Sequence, residues 1–155
     1  MTQEGALELN IATSLNVFAA PTVEAIRLCV KAGFTRLDYN YTDCQADMFR
    51  MSPGEEERLA HAIREAADEA GAVFTQMHGP VHGPNFSVLY HGMDLEAFLD
   101  LAKRSIRTAA ILGAPWVVFH PTNRGEGYEP LESSIAFNKE FYLRLVPVLE
   151  KTGVG

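Results

Sequence analysis

The sequence predicts an α/β chain of four successive strand-helix units with parallel strands, half of a closed eight-unit barrel. Three observations carry this. Gly33, Gly71, Gly113 and Gly153 recur about 40 positions apart, and each closes a stretch with helical spacing of apolar residues. After each of the first three a β-prone apolar run begins at once, whereas after Gly153 only Val154 and Gly155 remain. Two of the runs end in histidine followed closely by proline, Met77-His78-Gly79-Pro80 and Phe119-His120-Pro121. Eight such units make a barrel somewhat above about 300 residues, so four make half of a TIM barrel. Residues 1–155 are therefore read as a single (β/α)4 half-barrel domain that ends before strand five, with a four-stranded doubly wound sheet as the alternative.

Taken in order, Leu7, Leu9 and Ile11 alternate with Glu8, Asn10 and Ala12, as a first strand would. Pro21 opens a helix that sets Ile26, Cys29 and Val30 on one face. Phe34 to Tyr41 follows as a second strand. Ser52-Pro53-Gly54-Glu55 has the cap serine, first-turn proline and third-position glutamate of a capping box. In the helix it starts, Leu59, Ile63, Ala66, Ala67 and Ala70 form the buried stripe, and Glu55, Glu56, Glu57, Arg58 and Arg64 are assigned to solvent. Ala72 to His78 is the third strand. Asp94 caps a third helix through Phe98, Leu99, Ala102, Ile106 and Ala109, with Lys103, Arg104 and Arg107 on its solvent side. Pro115 to Phe119 reads as a fourth strand buried on both faces. A last helix runs through Ile135, Phe141, Leu145 and Leu149 and is kinked or divided by Pro147.

The bulk properties bound the function. With 13 basic against 20 acidic residues the formal charge is -7, which argues against a broad nucleic-acid surface. Cys29 and Cys44 make neither a disulfide framework nor a paired metal signature. No apolar run has the length of a signal peptide core or a membrane span, so no membrane association is expected and a cytoplasmic location is the default.

The chemistry-bearing residues collect where parallel sheets bind ligands, at the strand C-terminal ends. His78 and His120 hold equivalent positions in successive units and are the candidate catalytic residues. Asp38 and Asn40, two apart on one strand, share a side and are candidate substrate contacts, with Asp43 just beyond. His82 follows His78 by four, but Gly79, Pro80, Gly83 and Pro84 forbid the helix that would make this spacing a metal site, so it stands as a substrate contact from a loop. Asn123 joins it from the polar loop 123–130, which lacks both phosphate-binding glycine signatures. Strands cut from a closed barrel are also expected to expose unpaired edges and an apolar inner surface.

Ala32-Gly33-Phe34, Met77-His78-Gly79-Pro80 and Phe119-His120-Pro121 together resemble the N-terminal half of the xylose isomerase-like TIM-barrel superfamily, which includes sugar isomerases, epimerases and endonuclease IV-type repair enzymes. The resemblance implies a sugar or sugar-phosphate isomerase or epimerase acting on a small-molecule sugar, with a divalent metal (Mg, Mn or Zn) in the complete barrel. It places His78 and His120 at substrate, or at zinc if the chain is endonuclease-like. The metal-holding carboxylates of the sugar enzymes come mainly from strands five to eight. A homodimer, or association with a missing C-terminal half, is the implied assembly. A non-catalytic half-barrel acting by self-association is the third reading.

Overall fold

The computed structural model describes residues 11–41, 51–80, 94–121 and 131–155. Within them the chain alternates strand and helix: β1 (Ala12–Ser14), a 3-10 turn (Leu15–Val17), α1 (Thr22–Lys31), β2 (Arg36–Asn40), α2 (Pro53–Ala70), β3 (Val73–His78), α3 (Leu95–Leu112), β4 (Val117–Val118), α4 (Leu131–Leu143) and α5 (Val146–Thr152). The four strands pair in sequence order, all parallel. The parallel strand-helix repeat expected from the glycine spacing is thus the architecture found.

Local sequence explains the boundaries. Asp94 accepts a hydrogen bond from the Ala97 N–H at 2.8 Å and starts α3. Pro147 falls in the first turn of α5, where its missing N–H costs nothing, so the last apolar stretch is divided into two helices. At the end of α3, Gly113 adopts φ +74°, and an added Cβ would meet the Arg64 guanidinium. Arg64 Nη1 donates to the Leu112 carbonyl at 2.9 Å, tying α2 to the last turn of α3.

The capping box at the start of α2 is formed: Glu55 Oε2 accepts from the Ser52 N–H at 2.8 Å and from the Ser52 hydroxyl at 2.6 Å. The side-chain bond first, then the backbone bond, holds the Glu55 carboxyl below its ordinary value. A carboxyl depressed in the folded state stabilises above its unfolded value and loses that contribution as pH falls through the folded one. Acid unfolding followed by circular dichroism should therefore steepen below about pH 4.3, the ordinary glutamate value. Glu55→Gln should flatten that limb while leaving neutral stability lower. An unchanged limb would show that the box does not form in solution.

One face of the sheet packs on the helices. Leu37, Tyr39, Phe74 and Met77 meet Ile26, Ile63, Phe98 and Ile106, all buried. Each fully buried aliphatic side chain contributes about 1.5–3 kcal/mol. Phe98 and Phe141 stack at 5.7 Å between ring centroids, seating α4 on α3.

Several expectations are corrected. The first strand lies at Ala12–Ser14, beyond Leu7 and Leu9, which are outside the described residues, and Ile11 is exposed. The fourth strand is not buried on both faces: it is two residues long and Trp116 is 62 % exposed, because β4 stands at the sheet edge. Ile135 faces outward, leaving Phe141 and Leu145 to anchor the C-terminal helices. Glu56, assigned to solvent, is 3 % exposed, and the Arg104 side chain is 12 % exposed.

The face opposite the helices is mostly polar rather than apolar. The register aligns Ser14 with Asp38, Asp38 with Gln76, Asn40 with His78, and His78 with Val118. Between Leu37 and Asp38 the β2–β3 register shifts by one residue, since Leu37 pairs with Phe74 but Asp38 with Gln76. At the outer edge, the Gly155 N–H donates to the Pro115 carbonyl at 2.9 Å and the Gly155 carbonyl accepts from Val117 at 3.0 Å. This is one step of parallel pairing beside β4.

Candidate functional site

The register shift puts His78 on the polar face. Side chains alternate across a strand, so Phe74 and His78 would share a face in an uninterrupted β3. Phe74 instead faces the helices, and the extra residue at Thr75 turns Gln76 and His78 to the side of Asp38 and Asn40. Met77, three residues after Phe74, is thereby returned to the core at 0 % exposure.

His78 Nδ1 stands 3.0 Å from the Asp38 carboxylate. An ionised carboxylate only accepts, so Nδ1 carries the proton of this bond and Nε2 is left with the basic lone pair of the neutral ring. Asp38 is 8 % exposed, which sharpens its hold on the imidazole. The backbone is fixed as well, because the Tyr41 N–H donates to the His78 carbonyl at 3.0 Å.

His120 approaches from β4. Its ring stacks on that of His78 with 5.5 Å between centroids and 18° between planes. Gly79 permits this approach: a Cβ there would lie 2.5 Å from Phe119 Cε1, so only glycine lets the Phe119 ring rest on the β3 end. The Gly79 N–H then donates to the Val118 carbonyl at 3.0 Å. Asp38, Asn40, His78 and His120 thus gather at the C-terminal ends of three adjacent strands. His82, Asn123, Asp43 and Glu126 lie outside the described residues.

A network that the sequence reading missed braces this corner. Glu56 Oε1 accepts from the Tyr41 hydroxyl at 2.6 Å and from Thr108 Oγ1 at 2.8 Å. Glu56 Oε2 accepts from Arg104 Nε at 2.6 Å, and Arg104 Nη2 also donates to the Met51 carbonyl at 2.9 Å. Burial first, then the Glu56 charge and hydrogen bond, pushes the Tyr41 hydroxyl far above its ordinary value. The signal was present in the helical period: Glu56, Ala60, Ile63 and Ala67 fall on one face, so extending the apolar stripe back one turn leads to Glu56.

The donor set does not fit a metal centre. Among the described residues no three His, Cys, Asp or Glu side chains are placed to hold an ion. Stacked imidazoles present faces rather than converging lone pairs, and His78 Nδ1 is already committed to Asp38. A cavity of about 590 Å3 opens beside the turn after β1, lined by Leu15, Phe18, Pro21 and Ala25 among others. It contributes no titratable side chain, so the acid-base groups stand on the neighbouring strands.

A family profile described as xylose isomerase-like TIM barrel matches residues 26–155. The chain belongs to that family. Among solved structures, D-psicose 3-epimerase in the presence of D-fructose aligns with a TM-score of 0.65 at 15% identity, covering 93% of this chain and 50% of that one. The 3-keto-D-glucoside 4-epimerase YcjR from E. coli aligns at 0.63 and 16%, covering 95% and 54%. A D-tagatose 3-epimerase-like protein aligns at 0.62 and 18%, covering 92% and 49%. At these identities the likeness shows the shared fold, and the chain spans about half the length of these structures. No curated protein sequence matches it. Among the described residues, no helix of this family member is long and apolar enough to cross a membrane.

Proposed function

We propose that the chain carries the proton-handling half of a sugar or sugar-phosphate isomerase or epimerase. The observation that supports this is the Asp38–His78 pair stacked against His120 on the polar face of the strand ends. Asp38 fixes the tautomer of His78, whose Nε2 can then take or return a proton at a carbon beside a sugar carbonyl. His120 and Asn40 are suited to hydrogen bonds with neighbouring hydroxyls, and in this reading His82 and Asn123 join them. A divalent ion, Mg, Mn or Zn, would polarise the sugar oxygens in the complete barrel, held by residues other than those described above. The assembly in this reading is a homodimer or a pairing with a C-terminal half, supported by the edge position of β4, which Gly155 covers for one step of pairing. The cellular setting proposed is the cytoplasm.

The test follows solvent deuterium incorporation at the carbon beside the carbonyl of ketohexoses, using the full-length or assembled protein with Mn. His78→Ala should lower the exchange rate about 100- to 10,000-fold, the usual range for a positioned acid-base group. Thermal unfolding should change little, because His78 is partly exposed. Exchange that persists in both His78→Ala and His120→Ala would sink the reading. For the 155-residue chain alone, weak divalent-metal binding and little turnover are expected.

A further inference from the structure

The cations of this acidic chain are unevenly spread. Of its 13 lysines and arginines, Lys103, Arg104, Arg107, Arg144 and Lys151 line two adjoining cavities, one of about 420 Å3 between α3 and α5 and one of about 300 Å3 between α2 and α3. Arg107 and Thr152 line both, so the cavities form one groove. It lies in the helical layer, on the other side of the sheet from Asp38 and His78.

Helical spacing builds the cation rows. Lys103 and Arg107 are one turn apart on α3, and Lys151 is one turn beyond Pro147 on α5. Like charges one turn apart destabilise a helix, and packing α3 against α5 brings a second row beside the first. Neutralisation is incomplete. Arg104 is bound by Glu56, Arg144 is bound by Glu96 at 2.6 Å, and the same Glu96 also feels Lys103. Among the described residues Arg107 and Lys151 have no ion-pair partner. Glu57 stands in the smaller cavity, so an anion is favoured at the larger one, where every charged lining residue is basic.

We propose that this groove binds a phosphorylated small molecule, its phosphate held by Arg107 and Lys151 and flanked by Lys103 and Arg144. The planar guanidinium of Arg107 offers paired donors that match phosphate oxygens. Pro147 and Val148 supply an apolar wall for the organic part, and the volume lies within the range of small-molecule pockets. The site stands apart from the strand-end histidines and does not depend on the chemistry assigned to them.

Inorganic pyrophosphate titrated into the 15N-labelled chain at fixed ionic strength tests this. Saturable amide shifts are expected over Lys103–Ile111 and Val146–Thr152. The R107Q/K151Q variant should weaken the apparent affinity about tenfold or more. R27Q/K139Q removes the same charge from exposed positions elsewhere and should change nothing, and R107Q alone should give a partial loss in a fold confirmed by its spectrum. Shifts that never saturate, shifts spread over the surface, or equal weakening in both double variants would overturn the site.

Discussion

Replacing Glu56 with Ala should lower the unfolding free energy by about 3–5 kcal/mol, the cost of removing one member of a buried ion pair. The reason is what remains. Arg104, with its side chain 12 % exposed, would keep its charge without its carboxylate, and the Tyr41 and Thr108 hydroxyls would lose their acceptor. Urea unfolding measures the loss, and a change under about 1 kcal/mol would show that water reaches the network. Tyr41→Phe should cost about 1 kcal/mol, a single hydrogen bond in the same network. It should also change the alkaline response. Tyr41 is raised in the folded state, so its contribution is complete below the unfolded tyrosine value of about 10 and declines as pH climbs above it. The wild type should lose stability there more steeply than Tyr41→Phe.

Gly113→Ala should cost about 1–3 kcal/mol, combining a left-handed backbone that L residues resist with displacement of a charged hydrogen bond. Arg64 occupies the space that the methyl would enter, and its guanidinium supplies the donor to Leu112. Gly71→Ala separates the two effects, since φ is +71° there and nothing stands within 4 Å of an added Cβ. If Gly113→Ala and Gly71→Ala cost the same in thermal unfolding, the Arg64 contact adds nothing.

How much of this was legible in the sequence depends on which force decided each feature. Helix ends are local events, so Ser52, Asp94 and the four glycines could be read directly. The approach of His78 to His120 followed from equivalent places in the repeat. The burial of Glu56 and Arg104 is tertiary: a run of three glutamates resembles a solvated face until α3 is laid across it. Likewise, the apolar run at Val117–Phe119 says nothing about whether a neighbour covers it, and Trp116 is exposed because β4 is at an edge. The polar inner face was hidden for a third reason, because reading it by alternation along β3 gives the wrong parity after Thr75.

That extra residue has an evolutionary meaning. Substitution at Thr75 changes one side chain and one 3.3 Å hydrogen bond to the Leu37 carbonyl. Loss of its codon is a different kind of event, since it would set Phe74 and His78 three positions apart, on opposite faces of a regular strand, and so keep Met77 on the core side and the imidazole on the polar side without the bulge. A lineage could therefore add or drop this one residue by an in-frame insertion or deletion and keep the histidine site, because the bulge absorbs it with every other amino acid intact. Scanning by point replacement would never visit that step.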